Sequence, residues 1–370
     1  MSTSASFASL NGIPKVNLAE HLQQASRATQ RGFAAIVSEV FALRRGPGKL
    51  TSNEYFYYRL WEPGRSREAK RAFIGKQAQE RMHRVCNDLA CLPHTVDKLG
   101  FHARMTEAGF PTPALLAVVH PSRGAAGSHS LTTEEQVSTF LRAPGNYPLF
   151  AKPIDGKYSF DVISVNRYLP SADILVMHDG QTPTVRDVAR RLVARPAGFL
   201  IQHRLAPADC LQRCFGSTVW TVRVLVLLTP SGPAIHRAVA KIPTGKNPAD
   251  NFWRPGNMLG AVDLSLGQIV RVVRGTGMAM TVNDVHPDTG EPIIGTFIIG
   301  WDGLLAMVKA ASLLFPGIRT QSWDIALAEE GPVPLEINWG GDLNLLQLAS
   351  GAGMLDDVYR GHLRACGYQF

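Results

Sequence analysis

The stretch WDIALAEEGPVPLEINWGGDLNL, residues 323–345, contains two apolar runs separated by the turn-forming segment EEGP. Acidic residues normally weaken a β-sheet, yet Asp324 lies near the start of the first run, and Glu336 and Asn338 lie near the end of the second. Glu336 and Asn338 are two residues apart, so they share one face of a strand. The turn returns the chain, so Asp324 comes to lie opposite them. We therefore predict a hairpin that places these three side chains together at one end of a sheet.

Two carboxylates and one amide oxygen suit Mg²⁺, which prefers oxygen ligands and takes few of its six from protein. The hairpin stretch contains no His or Cys, which argues against zinc or redox iron at this position. A simpler alternative is that the three side chains are solvated at the end of a sheet. The residues alone leave both alternatives open.

Length and composition indicate a folded chain with more than one packed unit. The protein has 370 residues, of which 45% are hydrophobic, enough to build two or three packed units. The formal net charge is +8, but the basic residues are spread along the chain. A positive field over an anionic small-molecule site accounts for this excess, so we expect no nucleic-acid partner. No apolar run reaches the length of a membrane span, so we expect no membrane partner.

The five cysteines are an odd number in a long chain, and no secretory signal begins the sequence. Reduced thiols in the cytoplasm are therefore the expected state. The pairs Cys86/Cys91 and Cys210/Cys214 do not have the CxxC spacing of common zinc sites and no HxxxH follows, so we expect no zinc site.

Hydrophobic periodicity divides the chain into a helical part and a mixed part. Helical patterns cover about residues 17–45 and 66–89, and a further helix ends at Gly109 and Pro111. From residue 111 onward strand-like and helical runs alternate, and several strands are joined by short Gly/Pro turns. This pattern predicts an α+β fold with partly antiparallel sheets.

The segment PLFAKPIDGKYSFDV, residues 148–162, is a candidate phosphate site. A strand ends at Lys152, and a tight segment containing Gly156, Lys157 and Ser159 follows it. Backbone amides in such a turn can bind an anion, and a lysine at a strand end supplies a charge for phosphate oxygens. An ordinary hairpin with solvated lysines is the alternative.

The segment FLIQHRLAPADC, residues 199–210, is a candidate adenine site. The edge that follows Gln202 would offer backbone hydrogen-bonding groups to the base, and Leu205 would offer an apolar contact. Taken alone, the segment is equally well read as a junction between a strand and a loop.

Arg223 lies inside the apolar strand TVWTVRVLVLL, and the next strand, HRAVAKI, carries Arg237 and Lys241. A buried cation is costly unless it meets an anion. That anion could belong to a structural salt bridge, or it could be a phosphate or carboxylate ligand.

Taken in order, DKLGFHARMTEAGFPTP, PLFAKP, LIQHRL, the Thr-x-Arg of TVRVL, WDIAL and PLEINWGGDLNLLQLASG resemble the ATP-grasp superfamily. The segment HPDTGEPIIGTFIIGWDGLLAMVKAASLLFPGIRTQSWDIAL is similar to its sugar-transfer-associated branch. The resemblance covers about residues 95–365. The helical patterns make residues 1–110 a mainly helical region, and the resemblance implies a small lid subdomain over 111–200 and a C-terminal subdomain with the metal site over 201–370.

The resemblance also implies ATP and Mg²⁺ as cofactors and a role for each candidate residue. Lys98 is expected to have a structural role. The implied sites are Lys152, Gly156, Lys157 and Ser159 for phosphates; Gln202, His203 and Leu205 for adenine; Arg223 and Lys241 for catalysis; Asp324, Glu336 and Asn338 for Mg²⁺; and Lys246, Asp250, Asn251 and Arg254 for the acceptor.

The function implied is an ATP-dependent, ADP-forming ligase that activates a carboxylate as an acyl phosphate and joins it to an amine. Its pathway would be natural-product or polysaccharide-related biosynthesis. A phosphotransferase and a non-catalytic nucleotide-binding partner protein are the alternatives. We expect small-molecule carboxylate and amine substrates and allow for a homodimer. No GxSxG, GxxxxGK[ST] or GxGxxG motif is present, so serine-nucleophile, P-loop and Rossmann sites have no support.

Overall fold

A computed structural model describes residues 17–156 and 161–370. Lys157 and Ser159 of the predicted phosphate-binding segment lie outside these described residues.

Short helices make up the N-terminal part of the described chain. They are α1 (Leu18–Thr29), α2 (Phe33–Arg45), α3 (Ser52–Tyr57), α4 (Arg67–Arg71), α5 (Lys76–Cys86), α6 (Leu92–Val96) and α7 (Lys98–Glu107). Thr51 and Glu54 form a capping box at the start of α3, which satisfies backbone N–H groups that a helix N-terminus otherwise leaves unpaired.

The two long helices predicted over 17–45 and 66–89 are each interrupted. Gln30 has a left-handed backbone (φ 55°) and Gly32 starts a new helix, so the first pattern becomes α1 and α2. The second is broken before Gly75, whose N–H donates to the Gly48 carbonyl at 2.8 Å instead of continuing a helix. Apolar periodicity continues across both breaks because the two halves pack on the same core, and periodicity alone therefore overestimated helix length.

The middle of the chain forms a six-stranded sheet with helices on one face. Its elements are β1 (Leu115–Val119), β2 (His129–Leu131), α8 (Glu134–Leu141), β3 (Leu149–Pro153), β4 (Ile163–Leu169), β5 (Ile174–Met177), α9 (Val185–Val193) and β6 (Phe199–His203). The strand order is β2-β1-β6-β3-β4-β5, and only β1 and β2 pair in parallel. α8 and α9 cover one face with apolar side chains, and α7 packs on the other through Leu99.

The C-terminal part forms a seven-stranded antiparallel sheet. Its elements are α10 (Asp209–Phe215), β7 (Thr221–Thr229), β8 (Gly232–Ile242), β9 (Met258–Asp263), β10 (Gln268–Arg274), β11 (Thr281–Val282), α11 (Trp301–Ser312), β12 (Thr320–Ala328), β13 (Gly331–Trp339), α12 (Leu343–Ser350) and α13 (Asp357–Ala365). The strand order is β11-β10-β9-β8-β7-β12-β13. β12 and β13 are the hairpin predicted from residues 323–345, with Asp324 directly opposite Glu336.

Alternation along β7 explains how one strand serves both a core and a site. Val222, Val224 and Val226 pack on the α11 side of the sheet. Leu225 and Leu227 face the core formed with the N-terminal helices. Arg223 belongs to this second row because strand side chains alternate with period two. It lies next to the part of the row that belongs to the apolar core.

The structure confirms the α+β class, with two separate sheets and a helical N-terminal region. The residue limits assigned above to the three regions remain a prediction. Among the described residues no helix has the length and apolar character needed to cross a membrane.

Candidate active site

A cavity of about 410 Å³ lies between the two sheets, where the ends of β3, β6, β7, β8, β12 and β13 meet α5. Most of the residues predicted from the sequence line it together. They are Lys152, Gly156, Gln202, His203, Leu205, Arg223, Lys241, Asp250, Asn251, Asp324, Glu336 and Asn338. These residues come from distant parts of the chain, and the fold brings them into one space.

A buried group of charges forms one wall of this cavity. The Nε and Nη2 atoms of Arg223 donate to Oδ1 and Oδ2 of Asp324, respectively, both at 2.8 Å. Lys241 Nζ lies 3.1 Å from Oδ2 of the same carboxylate and 2.8 Å from Oδ2 of Asp250. Asp250 also accepts a hydrogen bond from the hydroxyl of Thr221. Two cations and two anions therefore compensate one another in this wall.

The pKa values of these groups follow from that pairing. Burial by itself would raise the pKa of Asp324, but Arg223 and Lys241 outweigh it and hold the pKa well below its usual range. Burial would likewise lower the pKa values of the two cations, and the neighbouring carboxylates outweigh it and raise both. All three side chains therefore stay charged at neutral pH.

Arg223 was open to two interpretations, a structural ion pair or a ligand for a phosphate or carboxylate. In the structure the guanidinium holds Asp324 in a two-point contact, and the residue also lines the cavity. The pairing fixes the orientation of the guanidinium, and a pre-oriented cation can contact an anion without further ordering cost.

Glu336 and Asn338 lie beside this wall on β13. Glu336 is less buried than Asp324, and its Oε2 is 3.4 Å from Lys98 Nζ. The amide nitrogen of Asn338 is buried and has no hydrogen-bond partner among the described residues. Ser322, which is the register partner of Asn338, has a buried hydroxyl in the same condition. Unpaired buried polar atoms are costly unless something else satisfies them.

The donor set fits a hard divalent cation. Asp324 and Glu336 face each other across the strands and Asn338 follows on the same face, so the ligand atoms are carboxylate and amide oxygens. Asp324 Oδ1 accepts from Arg223 Nε, and a carboxylate oxygen can accept more than one bond. The side-chain amide of Asn338 can turn over to present its oxygen. These three residues would hold Mg²⁺ there.

The two glycines after β13 let the chain turn closely past this wall. Gly340 and Gly341 both have positive φ (80° and 64°). A Cβ at Gly341 would lie 2.1 Å from the Ser322 hydroxyl, and one at Gly340 would lie 2.3 Å from His83 Nδ1. Only glycine fits both the backbone conformation and the space.

Lys152, at the end of β3, has an amine of reduced basicity. Burial, together with the charge of Lys98, lowers its pKa to about 8, while Glu336 acts in the opposite direction. Its Nζ reaches the Leu335 carbonyl at 3.5 Å. A buried lysine held near another cation gains when an anion approaches.

Part of the cavity wall is apolar, and Phe150, Leu205, Ala326 and Leu335 contribute to it. A contact between Leu205 and an adenine remains a prediction. The sequence predicts free backbone hydrogen-bonding groups after Gln202. In the structure, however, the N–H of His203 donates to the Ala114 carbonyl at 2.9 Å. The next N–H, that of residue 204, donates to a carbonyl of the loop before β3 at 3.0 Å. Neither amide is available to a base.

The predicted acceptor residues separate into two groups. Asp250 and Asn251 line the main cavity. Lys246 and Arg254 line an adjoining depression, together with Arg274. The two spaces share Val162 and Pro248 as walls, so they are neighbours. The sequence predicts one role, acceptor binding, for all four residues, which lie in one segment.

Several cavity residues were missed by sequence reasoning. Lys98, for which a structural role was expected, contacts Glu336 and donates to the Gly156 carbonyl. Arg204 donates to Asn166 Oδ1 at 2.6 Å and lies 3.4 Å from His178 Nδ1. These half-buried partners of Arg204 are far away in sequence, so no local signal marks them.

The helical N-terminal region also contributes to the cavity. Lys76, Gln79, Glu80 and His83 of α5 line it. Lys76 Nζ is 3.2 Å from Asp342. Burial, followed by the charge of Lys76, lowers the pKa of His83 to about 3, so this imidazole is neutral near pH 7. Regular apolar spacing predicted the helix, but nothing in that spacing shows that its polar face meets a cavity.

The sequence profile of the sugar-transfer associated ATP-grasp family matches residues 77–360. The chain belongs to this family, and the expected ATP-grasp fold is confirmed. A comparison with curated protein sequences gave no match.

Solved structures with a related fold include three ligases of low sequence identity. The chain is similar to L-amino acid ligase from Bacillus licheniformis with 12% identity and a TM-score of 0.40, covering 74% of this chain and 48% of that one. Its similarity to phosphoribosylamine–glycine ligase from Thermotoga maritima has 12% identity and a TM-score of 0.41, covering 78% of this chain and 60% of that one. Its similarity to D-alanine-D-alanine ligase from Coxiella burnetii has 13% identity and a TM-score of 0.35, covering 74% of this chain and 52% of that one. The chain thus spans about half the length of these proteins.

Proposed function

We propose that this protein is an ATP-dependent ligase that joins a carboxylate to an amine and releases ADP and phosphate. The observation that supports it is the composition of the cavity between the two sheets. Three cationic side chains, Lys152, Arg223 and Lys241, and the oxygen donors Asp324 and Glu336 all line one space. Phosphoryl transfer needs positioned cations and charge neutralisation more than it needs a protein nucleophile.

In the proposed reaction a carboxylate oxygen attacks the γ-phosphorus of ATP, the bond to the β–γ bridging oxygen breaks, and ADP leaves with those electrons. The resulting acyl phosphate has a good leaving group. The amine then attacks the carbonyl carbon, phosphate leaves, and the nitrogen loses a proton. Magnesium, when bound, would neutralise phosphate charge.

The residues of this chain have separate parts in the proposal. Lys152 would contact phosphate oxygens as a point charge. Arg223, kept in orientation by Asp324, would stabilise the transferring phosphoryl group and the acyl phosphate with Lys241. Glu336 would hold the cation, with Asp324 and Asn338. The apolar part of the cavity wall near Leu205 would bind the base.

The test is product analysis of the purified protein with MgATP and pooled carboxylates and amines. ADP and a new amide that form only when both substrate classes are present would support the ligase. A phosphorylated product formed from a single hydroxylated acceptor would replace it with a phosphotransferase. Thermal stabilisation by MgATP without any ADP in all pools would replace it with a nucleotide-binding partner, because a ligand stabilises by mass action whether or not chemistry follows.

A further inference from the structure

Two cysteines and one histidine form a cluster away from the cavity. Cys86 is the last residue of α5, His362 lies on α13, and Cys366 follows that helix. The two sulfurs and the imidazole nitrogen all lie within 4.8 Å of one another. Cys366 Sγ is 3.7 Å from His362 Nε2. Cys86 and His362 are buried and Cys366 is half-buried.

The fold, not the local spacing, creates this cluster. Cys86 has Cys91 as its neighbour in the sequence, and their spacing gave no reason to expect zinc. In the structure the C-terminal end of α5 packs against α13 in a shared apolar core. His362 and Cys366 are four residues apart, so they lie on one side of the helix end. Cys86, which is distant in the sequence, then supplies a third donor.

The distances are close to those of a tetrahedral zinc site. With zinc–sulfur bonds of about 2.3 Å and zinc–nitrogen bonds of about 2.0 Å, neighbouring ligand atoms lie roughly 3.5–3.8 Å apart. The distance between Cys366 Sγ and His362 Nε2 is already 3.7 Å. The cluster limit of 4.8 Å means that the third ligand needs to move by about 1 Å at most to reach such a geometry.

The donor set suits zinc. Two sulfurs and an imidazole nitrogen are ligands that Zn²⁺ prefers. Cysteine binds metal ions as the thiolate, so zinc binding would displace the thiol protons.

We propose that Cys86, His362 and Cys366 form a Zn²⁺ site that links α5 to α13. His362 would bind through Nε2, which faces the sulfur of Cys366. Binding would release the thiol protons to solvent and leave the fourth position to water or to the Thr320 hydroxyl, which is 2.9 Å from His362 Nε2. The site would hold in place the helix whose polar face lines the cavity. It is separate from the oxygen ligands of the proposed Mg²⁺ site, and it does not depend on the proposed function.

Zinc and cobalt binding to the reduced full-length protein test this site. The protein is treated with chelator, incubated with Zn²⁺, desalted and assayed for metal, and a parallel sample receives Co²⁺. We expect about one zinc ion per chain and a sulfur-to-cobalt charge-transfer band. Cys366→Ser and His362→Gln should lose both signals. The matched control Cys210→Ser, which removes a half-buried thiol elsewhere, should keep them.

Thermal melting and MgATP binding show which variants are folded, and the cobalt spectrum of the parent needs no variant at all. Reduced, folded parent protein that retains no zinc would overturn the proposal. So would zinc retained in full by folded Cys366→Ser. A disulfide between Cys86 and Cys366 in untreated protein, combined with no zinc uptake after reduction, would likewise replace the metal site with a redox pair.

Discussion

The two carboxylates of the proposed metal site should differ sharply in their effect on stability. Asp324 is almost fully buried, and its carboxylate binds Arg223 at two points of 2.8 Å and Lys241 at 3.1 Å. Asp324→Asn leaves both cations in place and removes the charge between them. Removal of one member of a buried ion pair typically costs about 3–5 kcal/mol, because the remaining charge is uncompensated. Asp250 still pairs with Lys241, so the loss should fall mainly on Arg223.

Glu336→Gln is the matched comparison. Its side chain is 29% exposed, and its ion pair with Lys98 has a separation of 3.4 Å. Partly solvated pairs of this kind contribute about 0–1 kcal/mol. Asp324→Asn should therefore lower the free energy of unfolding by several kcal/mol and Glu336→Gln by less than about 1 kcal/mol. Both should abolish or cripple turnover if the proposed metal site is right.

Urea denaturation of the apoprotein measures the first effect, and ADP release measures the second. The double variant Arg223→Met/Asp324→Asn removes both charges, so its stability loss should be smaller than the sum of the two single losses by about 0.5–3 kcal/mol. If Asp324→Asn is as stable as the parent, or if the two losses simply add, then Asp324 does not compensate the buried charge of Arg223.

Three further predictions concern the rest of the cavity. The affinity for MgATP should fall as the pH rises above about 8, where Lys152 loses its proton; calorimetry should show that Lys152→Arg keeps its affinity at pH 9 and that Lys152→Met is weak throughout. By the same linkage the unfolding free energy should rise above pH 8, because the folded state then no longer buries a charged amine. Lys98→Met should lower turnover by about tenfold, a loss typical of one charge-assisted contact; unchanged kinetics with a lower Tm would instead support the purely structural role. Lys246→Ala and Arg254→Ala should raise KM for the acceptor and leave the Kd of MgATP unchanged; a matching loss in nucleotide affinity would place the adjoining depression at the nucleotide.

The hairpin could be predicted because its signals are local. Two apolar runs, a Gly-Pro turn and polar residues at strand ends lie within residues 323–345, and strand periodicity then fixes which side chains share a face. The opposition of Asp324 and Glu336 follows from these features. The gathering of most candidate residues in one cavity was anticipated from the resemblance to the ATP-grasp superfamily, not from periodicity.

The partners of the buried charges could not be predicted in the same way. Arg223 and Asp324 are neighbours because β7 pairs with β12, although β8 to β11 and α11 separate these strands in the sequence. Local patterns show that a cation in an apolar strand needs an anion, but they do not show which one. The same limit applies to Cys86 and Cys366, which are 280 residues apart in the sequence (366 − 86).

The N-terminal helices do more than extend the fold. α5 places Lys76, Gln79 and His83 on the cavity, and its position is fixed from several sides. Its first N–H donates to Glu54 Oε1 at 2.5 Å, and the Gln79 amide donates to the Gly341 carbonyl at 3.0 Å. Because Gly341 is the second residue after the strand that carries Glu336 and Asn338, a shift of α5 would also disturb the end of that strand. The two sheets therefore do not complete the cavity alone, and loss of the helical region should impair the site even though this region supplies none of the proposed Mg²⁺ ligands.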